Sequence, residues 1–538
     1  MMLKWWQERV VYQIWPRSFQ DSNGDGIGDL QGIIAHLDEL KDLGVGVIWL
    51  SPVYPSPNVD FGYDISDYKG INPELGTMAD MEELLAEAEK REIKIVMDLV
   101  INHTSDQHAW FQSSRDKDSP YRDYYIWRPG KNGKPPNNWS SFFGGPAWTY
   151  DERRGEYYLH LFAPNQPDLN YYNPKVMAEV KDVMRFWLDK GVAGFRCDVI
   201  NIIYKSSLAD GRRRFALLGL EHYLSQEGCH KILRELRREV LSQYDCFTVG
   251  ETVFITPQMA RDFTLPEREE LDMVFAFEHM ETDQYLVKWF KRRFQAGRFA
   301  RSITKWQTAV PWNANYLENH DQPRSVSRFG HDGEYWEKSA KLLCTLLLTL
   351  RGTPFIYQGQ EIGMTNFDFT RMEQLKDVES HNIYRIAKGL GFPPSLRWRL
   401  IKATSRDNAR TPMQWNSGPN AGFTTGTPWL GVNKNHVKIN MESQMRDPNS
   451  IRNFYRKMIA LRAGSDVLKS GDFTAVEIAK DLFVYRRTKE GSSLLVLLNF
   501  STRAVTAAYR GELVVSNYDR TDYDGRLQPY EAVVLEES

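Results

Sequence analysis

Eight short apolar runs recur along the 538 residues, and each gives way to polar side chains at its C-terminal end. They are Val10–Ile14, Val45–Leu50, Ile93–Val100, Gly191–Ile200, Cys246–Glu251, Met273–Phe277, Ala314–Leu317 and Thr353–Tyr357. Stretches with helical spacing of apolar residues fall between them, as at Leu30–Leu43, Met78–Arg91 and Val176–Asp189. Runs apolar on both faces suit strands buried in a parallel sheet, and strand–helix alternation suits crossover connections. Eight such units predict an α/β fold, a (β/α)8 TIM barrel with its chemistry at one rim.

Two stretches depart from this rhythm. From Thr104 to Asn170 the chain is rich in Trp, Tyr, Pro, Gly and Asn with little periodicity, which predicts a lobe inserted after strand 3. Beyond a helix at Ile451–Arg462, short alternating runs (Leu482–Arg487, Ser493–Asn499, Ala532–Leu535) predict a C-terminal antiparallel β-domain. The expected division is a barrel from residues 1–103 and 171–465, a lobe from 104–170 and a β-domain from 466–538.

Charge narrows the partners. Lys+Arg 68 against Asp+Glu 70 leaves a net charge of −2, which gives no electrostatic case for nucleic acid or an anionic membrane. Sixteen Trp and 26 Tyr supply flat faces suited to sugar rings. The longest apolar run, Leu342–Leu350, is too short to span a bilayer, and the N-terminus has no cleavable apolar region. Four cysteines without CxxC spacing read as core residues in a reducing compartment. A cytoplasmic protein is expected, monomeric or a small homo-oligomer.

Asp198, Glu251 and Asp321 stand at the ends of three different runs. Two such carboxylates can carry out retaining glycoside hydrolysis, one attacking the anomeric carbon and the other protonating the leaving oxygen, with carboxyls about 5–5.5 Å apart. A third can grip sugar hydroxyls. Strand alternation puts Arg196 on the same face as Asp198, where its guanidinium should keep that carboxylate ionised. No cation neighbours Glu251 in sequence, which leaves room for the raised pKa of an acid. His103 and His320 are either hydroxyl donors or satisfied core histidines.

Asp21-Ser-Asn-Gly-Asp-Gly-Ile-Gly-Asp29 has the alternating acids of half an EF-hand, but Gly32 stands where the bidentate Glu belongs. Asp21, Asn23, Asp25, Asp29 and the Ile27 carbonyl form either a hard-cation cage or a polar turn.

Four segments, Asp98–His103, Gly194–Asp198, Gly250–Thr252 and Glu318–Asp321, resemble in order the signature regions of the α-amylase family (glycoside hydrolase family 13), and Gln166–Asn170 resembles its fifth. The resemblance covers essentially the whole chain. It implies that Asp198 is the nucleophile, Glu251 the acid/base and Asp321 the transition-state stabiliser. It further implies that Asp60, Tyr63, His103, Arg196, His320 and Arg406 line the pocket for the terminal, non-reducing glucose, with Arg406 and Arg410 exchangeable. Phe143 and Phe162 would be aromatic walls. The Asp21–Asp29 loop would hold a structural Ca2+, with no organic cofactor.

Tyr12–Phe19 and Ser405–Trp415 resemble the oligo-1,6-glucosidase subgroup. Val199, directly after the nucleophile, is similar to α-1,6-acting members and narrows the leaving-sugar site. The implied activity is an exo-acting retaining α-glucosidase on short α-1,6-linked oligosaccharides. The alternatives are an α-1,4- or sucrose-active α-glucosidase and a trehalose-6-phosphate hydrolase, the latter using Arg212–Arg214 on phosphate. Sucrose isomerases carry an Arg-Leu-Asp-Arg type motif that is absent between Glu251 and Asp321, and transporter heavy chains lack the triad.

Overall fold

The computed structural model describes residues 3–537 apart from Phe215 and Leu286. Eight parallel strands form its central sheet: β1 (Val11–Ile14), β2 (Val47–Leu50), β3 (Lys94–Leu99), β4 (Gly194–Cys197), β5 (Phe247–Glu251), β6 (Met273–Phe275), β7 (Ala314–Asn315) and β8 (Thr353–Tyr357). Their spatial order is β7-β8-β1-β2-β3-β4-β5-β6, the cyclic order of a (β/α)8 barrel. Between β6 and β7 side chains make the junction. The Tyr316 hydroxyl donates to the Ala276 carbonyl at 3.1 Å, and His279 Nε2 lies 2.8 Å from the Tyr316 carbonyl.

Apart from Lys94, every residue of these strands is buried, which explains why the sequence shows apolar runs and no alternation. β4 depends on one glycine. Gly194 has φ +144°, and a Cβ there would meet the Phe247 carbonyl oxygen at 2.0 Å. The same register sets Asp98 of β3 opposite Arg196 of β4.

The helices start where capping chemistry permits. Met78–Lys90 opens with a capping box between Thr77 and Asp80, and Pro174–Asp189 opens on Asn173 with Pro174 in the first turn. The single helix expected over Leu30–Leu43 is two, Leu30–Ile34 and Leu37–Leu43. Between them His36 leaves helical geometry (φ −112°, ψ 11°), and its ring stacks on Trp415 at 3.6 Å. Periodicity could not register that contact, made across nearly four hundred residues of chain.

After β3 the chain builds a three-stranded antiparallel sheet from Trp127–Arg128, Glu156–Leu159 and Trp148–Asp151. A bridge between His103 and Asp168 brings it back to the barrel. The C-terminal part holds a five-stranded antiparallel sheet in the order 472–478, 482–489, 492–499, 532–537, 512–516. Among the described residues no helix is long and apolar enough to cross a membrane. The four cysteines are free thiols.

Candidate active site

Asp198, Glu251 and Asp321 lie just beyond or at the ends of β4, β5 and β7, and all three line one cavity of about 240 Å³. Beneath them lies the buried guanidinium of Arg196. Its Nη1 is 2.7 Å from Asp198 Oδ1 and also bonds Asp98, while Nη2 is 2.6 Å from Glu251 Oε2. Asp98 is braced in turn by Trp49 Nε1 at 2.8 Å.

This geometry corrects two expectations. Glu251 does have a cation beside it, contributed by β4 and invisible in its own sequence neighbourhood. Nor does Arg196 hold Asp198 low. Burial pushes the Asp198 carboxyl well above the ordinary aspartate value, Arg196 opposes, and the charges of Glu251 and Asp98 add to the rise. One guanidinium is divided among three buried carboxylates, so Asp198 keeps its proton to higher pH than a free aspartate does.

Asp321 lies in the opposite field. Burial raises its carboxyl, but His320, Arg406 and Arg410 outweigh that and hold it well below the usual range. Arg410 Nη2 is 2.7 Å and Arg406 Nη1 3.3 Å from its Oδ1, and His320 Nε2 is 3.2 Å from Oδ2. Gln13 Nε2 lies 2.7 Å from His320 Nδ1. The His320 ring lies nearly parallel to the rings of Trp15 and Tyr63, each centred 5.2 Å away.

The two arginines of the Ser405–Trp415 segment separate here. Arg406 lines the cavity, with Nη2 3.0 Å from Asp60 and its guanidinium 5.4 Å over the Phe143 ring. Arg410 lies below, fully buried, with Nε on the His320 carbonyl at 2.9 Å. Tyr63, His103, Phe162 and Val199 also line the cavity. Arg196 and His320 support it from beneath.

The alpha-amylase catalytic-domain family matches residues 13–471. This chain belongs to the alpha-amylase family. It is 52% identical to an oligo-1,6-glucosidase of Parageobacillus thermoglucosidasius, with 98% of each chain covered. Among solved structures, the isomaltulose synthase of a Klebsiella species superposes with a TM-score of 0.97 at 42% identity, with 100% of both chains covered. The trehalose-6-phosphate hydrolase of Bacillus licheniformis does so at 0.94 and 44%, with 99% of this chain and 100% of that one covered.

Within this alpha-amylase-family pocket, Val199 adopts a left-handed backbone (φ 36°, ψ 40°) as β4 turns into the helical turn Ile200–Ile202. That region is costly for a β-branched residue, and here it fixes Val199 beside Asp198 on the cavity wall.

Sequence reasoning missed several lining residues. Phe142 stacks on Phe162 at 5.1 Å, and Phe254 stacks on Phe142 at 6.5 Å, half exposed at the rim. Their closeness to Phe143 and Glu251 in sequence was the available signal. Lys288 and Glu379, an ion pair at the mouth, come from a hairpin after β6 and a helix after β8 that no motif marked. Arg212–Arg214 are exposed and none lines the cavity; Arg214 pairs with Glu221 at 3.3 Å.

The Asp21–Asp29 loop folds on its own amides. Asp21 Oδ1 accepts from Asn23 and Gly24, and its Oδ2 accepts from Gly26 and the Thr424 hydroxyl. Asn23 accepts from Asp25, Asp25 from Ile27, and Asp29 from Ser22 and Gly32. Burial raises Asp21, but these donors outweigh it and hold the carboxyl below its ordinary value. Among the described residues no group of three or more His, Cys, Asp or Glu side chains is placed to hold a metal ion. The expected cage combined Asp21, Asp25 and Asp29 with the Asn23 amide and the Ile27 carbonyl, and amide hydrogens meet most of these carboxylate oxygens.

Proposed function

We propose that this glycoside hydrolase is an exo-acting retaining α-glucosidase that releases glucose from the non-reducing ends of short α-1,6-linked oligosaccharides. The observation that carries the reading is one cavity lined by Asp198, Glu251 and Asp321, with one guanidinium bridging the first two. Asp198 attacks the anomeric carbon. Glu251, as the acid, gives a proton to the leaving oxygen and then takes one from water. Asp321, ionised beside His320 and Arg406, grips ring hydroxyls. The Arg406–Asp60 pair under Phe143 forms the floor for the terminal glucose and favours cleavage from chain ends.

Two observations support the α-1,6 linkage. Val199 lines the cavity beside Asp198, where its branched side chain would narrow the room for the leaving sugar, and a relative named oligo-1,6-glucosidase is 52% identical over nearly the whole length. Phosphate recognition by Arg212–Arg214 has no support from their placement away from the cavity. Sucrose isomerisation lacks its motif. Four free thiols favour a cytoplasmic location.

For the Asp21–Asp29 loop we propose a structural Ca2+, held by Asp21, Asp25 and Asp29 with the Asn23 amide and the Ile27 carbonyl, remote from the chemistry. The test of the main reading is proton NMR of the first glucose released from isomaltose. The α-anomer is expected; the β-anomer would exclude a retaining site.

A further inference from the structure

Lys205, Asp168 and Asn102 form a buried polar set that the proposed chemistry does not use. They come from three segments: the loop after β4, the returning end of the inserted lobe and the end of β3. Lys205 Nζ is 2.6 Å from Asp168 Oδ2 and donates to Asn102 Oδ1 at 2.8 Å. On its other side, Asn102 Nδ2 lies 3.3 Å from Asp168 Oδ1 and 3.1 Å from His103 Nδ1. A flipped amide would aim its NH2 at an ammonium and its oxygen at a carboxylate. The two charges therefore fix which way the amide points.

The consequence passes to His103. With an amide donor at Nδ1, that nitrogen must accept, and the single ring proton sits on Nε2. Burial holds this imidazole at about 4, so it is neutral at ordinary pH and carries only that proton. Nε2 lies 3.1 Å from the Tyr63 carbonyl, which can accept it. Gln166 Nε2, 3.2 Å away, is itself a donor; its hydrogens go to Asp60 Oδ2 and the Tyr63 carbonyl, each at 3.3 Å.

We propose that Lys205 is a positioning residue: by fixing the Asn102 amide it sets His103 in the Nε2–H tautomer, so that the nitrogen lining the cavity is the donor, bonded to the Tyr63 carbonyl until a sugar hydroxyl takes that hydrogen in its place. The tautomer stands independently of the substrate; its effect on turnover rests on the glucose pocket proposed above.

The test uses the full chain labelled with 15N-histidine, with the His103 signals assigned by their loss in His103→Gln. The wild type is expected to give the Nε2–H pattern. Asn102→Asp offers only acceptors to Nδ1 and is expected to switch the ring to Nδ1–H while keeping an anionic partner for Lys205. Lys205→Met frees the amide and is expected to populate both tautomers. A wild-type ring protonated at Nδ1 overturns the proposal, as does an unchanged Nε2–H pattern in Asn102→Asp or, where it folds, in Lys205→Met. In Asn102→Asp, kcat/KM on isomaltose is expected to fall about tenfold, chiefly through KM, as for one lost hydrogen bond. A switched tautomer with unchanged kcat/KM upholds the role of Lys205 and counts against the pocket role of His103.

Discussion

Arg196 Nη2 lies 2.6 Å from Glu251 Oε2 while Nη1 of the same guanidinium lies 2.7 Å from Asp198 Oδ1. One cation thus holds both carboxylates of the hydrolytic pair at a fixed spacing and cannot neutralise both along with Asp98.

The first consequence concerns Asp198→Asn. Turnover should fall on the order of 10⁶-fold, the scale seen when a nucleophile is removed. Removing one of three crowded carboxyl groups should leave Tm unchanged or raised. A variant that is inactive and also grossly unfolded would show that the charge accounting is wrong.

The second concerns pH. The raised Asp198 pKa means that the folded site holds its proton where an unfolded aspartate has lost it. Stability from this site is therefore present at low pH and lost as pH rises through the raised Asp198 pKa. Asn at position 198 does not titrate, so the Tm of Asp198→Asn relative to wild type should climb as pH rises. A constant difference from pH 5 to 9 would contradict this. The wild-type profile of kcat/KM should be bell-shaped, falling at high pH as the acid loses its proton and at low pH as the nucleophile gains one.

Val199 gives a third expectation. Replacing it with Ala opens the wall beside Asp198, and the isomaltose-to-maltose ratio of kcat/KM should drop by about tenfold, within the 1–3 kcal/mol that a small change in side-chain volume can discriminate. An unchanged ratio would remove Val199 from the account of linkage choice.

A fourth follows from the Asp21–Asp29 loop. Millimolar Ca2+ should raise the wild-type Tm by a few degrees over chelator-treated enzyme and leave kcat unaffected, since an ion binding only the folded state stabilises it by mass action. Asp25→Ala should abolish the shift. No shift in the wild type would reduce the loop to a polar turn held by its own amides.

The barrel was legible because its strands are buried on both faces and each ends in polar residues, as at Arg196 and Asp198. The three rim carboxylates were legible for the same reason. What escaped was set by contacts between distant segments: His36 breaking a helix to stack on Trp415, Arg196 reaching Glu251, Lys205 reaching Asn102. Lys288 and Glu379 escaped because a hairpin and an added helix carried them to the pocket mouth without any local pattern.

The measurement that bears most directly on the central claim is kcat/KM on isomaltose, maltose, sucrose and trehalose-6-phosphate under one set of conditions. The account predicts that isomaltose is preferred by at least about tenfold over each of the others, on the scale of one well-placed pocket contact. Preference for the phosphorylated sugar would contradict it and return Arg212–Arg214 to the substrate.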